Sequence, residues 1–181
     1  MPTIGSKATC LVVMGPSGTG KTTTAKLLSQ RLGWKFAEAD EFHPKANIDK
    51  MSAGIPLNDA DRAPWLESIR DWISDEAGMG ESTVITCSAL KRRYRDTLRD
   101  AQARVRFVQL DALQVLIQER VSKRSGHYMP PSLLASQYAD FEPLAGDEDG
   151  VRVSVDKAPD AVVADALHQL DLVRPETARA F

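Results

Sequence analysis

Several things are scarce in this chain of 181 residues. It has two cysteines, Cys10 and Cys87, each inside an apolar, strand-like run. That is no disulfide framework, and it reads as a pair of buried structural thiols. Charge of either sign is not in excess: the formal net charge is −2. This excludes the basic footprint of a nucleic-acid binder and the polybasic patch of a membrane-surface protein. No apolar run approaches the roughly 20 residues that a spanning helix needs. Residues 1–8 are short and polar, without the apolar segment of a secretory signal, so a cytoplasmic location is expected. There is no internal repeat and no linker that would split the chain, so one domain over 1–181 is expected.

What is present begins with Gly15-Pro16-Ser17-Gly18-Thr19-Gly20-Lys21-Thr22. It follows the apolar run Cys10-Leu11-Val12-Val13-Met14 and opens a helical stretch, Thr23 to Leu32. G-x-x-x-x-G-K-[ST] between a strand and a helix is a phosphate-binding loop. Glycines let the backbone curl so that N–H groups of Gly15, Ser17, Gly18, Thr19 and Gly20 can face phosphate oxygens. The helix N-terminus, with Thr23 in its first turn, adds partial positive charge. Lys21 is expected to reach the β- and γ-phosphates of a nucleoside triphosphate, and Thr22 to offer its hydroxyl to Mg²⁺.

Strand and helix signals alternate. Apolar runs fall at 10–14, 83–87, 105–110 and 151–155, with a weaker one at Trp34–Ala37. Between them Trp65, Leu66, Ile69, Trp72 and Ile73 share one helical face. So do Leu113, Leu116, Ile117 and Val121, and so do Val162, Val163, Ala166, Leu167 and Leu170. Pro64 fits a first helical turn. The alternation predicts an α/β fold, a parallel sheet covered by helices on both faces. Residues 38–62 and 122–132 read as irregular segments able to overhang the phosphate loop, since ligands bind beyond the carboxyl ends of such strands. The tail from Arg174 to Phe181 is expected to fray.

The acceptor of the phosphoryl group should meet residues at those strand ends. Asp40, closing the second strand in Glu38-Ala39-Asp40, can take a proton from a hydroxyl or hold Mg²⁺ through water. Arg62 can clamp a carboxylate in bidentate fashion, or belong to an Asp61–Arg62 surface cluster. His43, taken alone, is more often structural. Lys91 lies close enough to the third strand's end to reach an anion, whereas Arg92, Arg93, Arg95 and Arg99 read as a solvated helix face. Arg120 and Arg124 share a helical face at spacing i, i+4. They suit a lid, with one guanidinium flanking adenine and the other reaching the transferring phosphoryl group, or else they complement the helix dipole.

Several stretches together resemble the bacterial-type gluconokinases. They are the phosphate loop, His43-Pro44, Asn47-Ile48, Lys50-Met51, Gly54, Pro56-Leu57, and Asp59 to Leu66. Cys87 to Lys91, Tyr94-Arg95-Asp96, Arg124, His127, Ser136-Gln137 and Glu142-Pro143 match as well. The similarity spans about residues 9–170. It implies a fold similar to shikimate and nucleoside monophosphate kinases, a five-stranded sheet in the order 2-3-1-4-5 with an acceptor segment at about 40–66 and a lid at about 122–132. It implies ATP- and Mg²⁺-dependent transfer to the 6-hydroxyl of D-gluconate, and a homodimer. It assigns Lys21, Asp40 and Arg124 to catalysis and Arg120 to the nucleotide. To the acceptor it assigns Asp40, His43, Lys50, Arg62, Lys91, Arg124, His127 and Gln137. The chain departs from the family in one place, with Glu38-Ala39-Asp40 where Asp-Gly-Asp is usual, so Asp40 keeps the role, while Glu38, one methylene longer than Asp, is either a Mg²⁺-side acid or a solvated one. In the implied order strands one and three are neighbours, and Cys10 and Cys87 are then offset by roughly 10–13 Å at about 3.3 Å per residue, too far for a disulfide.

Two other readings compete. One is a kinase for another small hydroxy-acid such as shikimate. The other is a P-loop hydrolase or switch protein, against which stands the lack of an Asp-x-x-Gly after an apolar strand and of an Asn-Lys-x-Asp guanine signature.

Overall fold

The computed structural model describes residues 7–112 and 131–172. The helix expected over 112–124, the lid with Arg120, Arg124 and His127, and the chain end from Arg174 lie outside the described residues, apart from Ala112 and the last two lid positions. Five strands make one sheet: β1 Thr9–Met14, β2 Lys35–Glu38, β3 Thr83–Thr86, β4 Arg104–Asp111 and β5 Gly150–Ser154. Their order is β2-β3-β1-β4-β5, and every described pairing is parallel. This is the order that the resemblance implies. Right-handed crossovers need helices on both faces of such a sheet, which is why the central strands are almost continuously apolar.

The pleat of β1 divides the core. Cys10, Val12 and Met14 pack with Trp65, Ile69, Ile73, Leu98 and Phe107 on one face. These come largely from α3 (Asp59–Gly78) and α4 (Arg92–Arg99). Leu11 and Val13 pack on the other face with Ala25, Leu28, Val163 and Leu167, from α1 (Lys21–Leu32) and the last helix, α6 (Pro159–Gln169). Two further helices, α2 (Lys45–Ser52) and α5 (Pro131–Asp140), carry the cavity-lining residues Met51, Ser136 and Gln137.

Two local expectations change. Residues 38–62 are not irregular: they hold a 3₁₀ turn, Ala39–Phe42, then α2 and the start of α3. Pro64 does not open α3 but lies inside it. The reason is the capping box at Asn58: its side chain accepts the Asp61 N–H at 2.8 Å while the Asp61 carboxylate accepts the Asn58 N–H at 2.9 Å. That reciprocal cap starts the helix five residues before the proline, which then forfeits only the bond to the Ala60 carbonyl.

The two thiols are buried and unbridged. Cys10 pairs in register with Thr83, so Cys87 lies four residues farther along β3 and its exit. Burial pushes both thiols up to about 12. The native protein should therefore resist maleimide labelling at pH 8 and release two reactive thiols on denaturation. Fast labelling of either in the native state would show that the core opens locally.

Candidate active site

The loop between β1 and α1 curls as its glycines allow. Gly15 has φ 145°, and a Cβ there would stand 3.1 Å from Thr19 Oγ1. Gly20 caps α1 in the left-handed region, φ 91°. Lys21 Nζ folds over the loop and donates to the carbonyls of Gly15 at 2.9 Å and Pro16 at 3.2 Å. Beneath it the Thr19 hydroxyl donates to Pro16 O at 3.0 Å. Ser17, Gly18, Gly20, Lys21 and Thr22 line a cavity; Thr23 is exposed on α1 beyond it.

Across that cavity lies the acidic turn after β2. Glu38 and Asp40 both line it. Glu38 ends β2, where Thr86 Oγ1 donates to its Oε2 at 3.1 Å. Asp40 is two residues beyond the strand, in the 3₁₀ turn, and its side chain is open to solvent. The turn is fixed by Trp65, whose Nε1 donates to Ala39 O at 2.7 Å. The same indole stacks on His43 with ring centroids 4.1 Å apart. Asn47 is buried and links His43 Nδ1 at 3.2 Å to Asp61 O at 2.9 Å. Burial lowers the His43 pKa, with Arg62 acting in the same direction and Asp40 against it. The ring is therefore neutral at pH 7, and protonating it costs stability as pH falls. Trp65 and Asn47 are anchors that sequence reading missed; an indole on an apolar helix face carries no signal of a polar partner.

The basic residues divide sharply. Arg62 is 8 % exposed and lines the cavity. Its Nη1 donates to Tyr94 Oη at 2.9 Å and approaches Asp140 Oδ2 at 3.4 Å. Lys50 and Lys91 are not among the residues lining the cavity. Lys50 bonds Asp61 at 2.8 Å. Lys91 caps α4 and stands 3.4 Å from Asp59 and 3.9 Å from Asp140. Asp59 also bonds Arg93 and the Tyr94 hydroxyl. Gln137, from α5, does line the cavity, and its Oε1 accepts the Ser17 N–H at 2.8 Å.

Arg95 overturns the reading of a solvated helix face. It is 0 % exposed. Its Nε and Nη2 donate to Glu148 at 2.7 and 2.9 Å, and its Nη1 to the carbonyls of Ala89 and Glu142 at 2.9 and 3.0 Å. Ala89 has φ 43°, a strained value for a residue with a Cβ. Arg95 thus braces the Cys87–Leu90 bend, of which Cys87, Ser88 and Leu90 line the cavity. Its neighbours Arg92 and Arg93 are on the outside as expected, while Arg99 also reaches Glu148 at 2.9 Å.

A phosphate cradle therefore faces two carboxylates and one buried guanidinium across a single cavity. Known proteins share this framework. Residues 11–144 match the AAA domain family AAA_33. A curated gluconokinase from Gluconobacter oxydans is 49 % identical over 164 residues, covering 91 % of this chain and 92 % of its own. The chain belongs to the gluconokinase family. Among solved structures, a sugar kinase from Janibacter sp. HTCC2649 superposes with a TM-score of 0.88 at 48 % identity, covering 92 % of this chain and 96 % of its own. A gluconokinase from Sinorhizobium meliloti 1021 gives 0.82 at 40 %, over 92 % and 94 %. In this gluconokinase-family chain both acids of Glu38-Ala39-Asp40 reach the cavity.

Proposed function

We propose that this chain transfers the γ-phosphoryl group of ATP to the 6-hydroxyl of D-gluconate, giving 6-phospho-D-gluconate. The observation that carries the reading is one cavity lined by the phosphate loop, Asp40 and Arg62 together, in a chain nearly half identical to a gluconokinase. Lys21 and the loop N–H groups hold the β- and γ-phosphates. Asp40 orients the acceptor hydroxyl and takes its proton as the bond to phosphorus forms. Little more is asked of the base, because the transition state is loose and catalysis is mostly positioning and charge stabilisation. Arg62 offsets the charge that an anionic acceptor brings toward ATP, with Lys50, Lys91 and Gln137 shaping its surroundings and His43 closing one wall. Arg124, Arg120 and His127 complete the site from the lid, an assignment resting on sequence alone.

The donor set fits Mg²⁺. The Thr22 hydroxyl and the carboxylates of Glu38 and Asp40 border the same cavity and are hard oxygen donors. Among the described residues no group of three or more His, Cys, Asp or Glu is placed to hold a metal, so nucleotide phosphates and water would complete the shell. When bound, the ion neutralises charge on the phosphates. A homodimer and a cytoplasmic location belong to the same proposal; size-exclusion chromatography with light scattering tests the first.

ADP release measured across D-gluconate, related sugar acids, shikimate and glucose decides the acceptor. Gluconate should give the highest kcat/KM. Shikimate or glucose outperforming it would overturn the assignment, and ADP release independent of any acceptor would return the chain to the hydrolases.

A further inference from the structure

The helix α5 touches both halves of the site at once. Gln137 and Asp140 are three apart, so they project from the same side of the helix. Gln137 Oε1 accepts the N–H of Ser17 in the phosphate loop at 2.8 Å. That donor is among the groups a phosphate oxygen would use. Asp140 presents its carboxylate to Arg62 at 3.4 Å and to Lys91 at 3.9 Å. Of these two cations Arg62 lines the cavity, and it is the one an acidic acceptor would use. Each residue offers the chemistry of one substrate: a neutral oxygen in place of a phosphate oxygen, and a carboxylate in place of the acceptor's own.

The two kinds of ion pair in this protein differ in how firmly they hold. Glu148 grips Arg95 at 2.7 and 2.9 Å in full burial. Asp140 is one-third exposed and its contacts are longer than the roughly 2.7–2.9 Å of a tight charge-assisted bond. A contact of that kind is exchangeable. The same helix carries a further sign of an arrangement not fully satisfied: the Tyr138 hydroxyl is buried without a hydrogen-bond partner among the described residues.

We infer that α5 is a two-ended latch, in which Asp140 and Gln137 are positioning residues that stand in for the acceptor and the nucleotide and give way to them. This rests on the acceptor being an anion, as proposed above. Acceptor binding transfers the charge on Arg62 from Asp140 to the substrate and loosens the helix. Ser17 is then freed for phosphate at lower cost. Coupling of this kind is reciprocal, so the nucleotide must favour the acceptor by the same factor.

The test uses the whole chain and two variants. Asp140→Asn keeps the shape and removes the competing charge. It should lower the KM for gluconate by about fivefold with little change in kcat, the scale of a modest coupling between sites. Gln137→Leu removes the competing oxygen. It should tighten a non-hydrolysable ATP analogue, titrated without acceptor, by a few-fold, and in both variants the mutual enhancement of nucleotide and gluconate binding should shrink toward one. Unchanged or raised gluconate KM in Asp140→Asn would show that the carboxylate merely orients Arg62, and would overturn the latch. So would unchanged or weaker analogue binding by a Gln137→Leu protein whose thermal unfolding matches the parent. Failure of the parent to phosphorylate gluconate would sink the proposed function instead; the analogue titration needs no acceptor and still decides the Gln137 end.

Discussion

Asp40→Asn should cost on the order of 10²–10⁴ in gluconate turnover, the usual scale for a positioned acid–base group. Asparagine matches aspartate in size and can still meet the acceptor hydroxyl, but it has neither the charge nor the basicity to take the proton. Its place in the turn depends on backbone groups and on Trp65 holding Ala39 O, none of which the substitution touches. The fold should therefore survive. The phosphate loop lies across the cavity and is held by its own contacts, so ATP should bind nearly as before. Steady-state phosphorylation and a nucleotide titration settle it. Turnover within about threefold of the parent, well below the 1.36 kcal/mol of a tenfold effect, would remove Asp40 as the catalytic carboxylate. Glu38, with one oxygen already receiving the Thr86 hydroxyl, would be the next to change.

The second large effect lies away from the reacting atoms. Arg95→Met should destabilise the protein by about 3–5 kcal/mol, because it strands the Glu148 carboxylate in the interior. For a chain of this size that is a fall in Tm of roughly 6–20 °C. Glu148 would retain Arg99 at 2.9 Å and the Ala145 N–H at 2.8 Å, which sets the lower end of the range. The Ala89 carbonyl would also lose its partner, and the strained bend before α4 would relax into the cavity wall. Adding Glu148→Leu to Arg95→Met should recover part of the loss, since a buried pair replaced whole is far less costly than a pair broken. A Tm within 2 °C of the parent would mean that Arg95 is not the brace described.

The pair also fixes how stability depends on acid. Burial alone would raise the Glu148 carboxyl, but hydrogen bonds from Arg95, Ala145 and Arg99 outweigh it and hold it down at about 2, against an ordinary 4.5. A depressed carboxyl contributes stability that is complete above the unfolded value and disappears as pH falls through the folded one. The parent should lose that contribution between about pH 4.5 and 2. In Arg95→Met the same interval should show a flatter loss, because the folded carboxyl then titrates closer to the unfolded one.

Much of this protein is written locally. Eight consecutive residues, Gly15 to Thr22, specify the phosphate loop, because the bonds from Thr19 and Lys21 to the carbonyls of Gly15 and Pro16 that fold it span six residues or fewer. The apolar runs and helical faces specify a parallel sheet sandwiched by helices, because burial on both sides demands them. The strand order followed from the resemblance, and the sheet has it. What the sequence could not determine depends on partners far away in the chain. Arg95 and Arg93 are alike in a charge pattern, yet one is sealed in the core and the other is exposed. The difference is Glu148, 53 residues on, together with two carbonyls that only the folded chain brings near. The pairing of Ser17 with Gln137 spans 120 residues. Arg62 lines the cavity, whereas Lys50 and Lys91 are paired outside it with Asp61 and Asp59, an outcome set by how α2, α3 and α4 pack. A charge is satisfied by whatever lies within about 4 Å of it, and that neighbourhood comes into existence only when the helices dock.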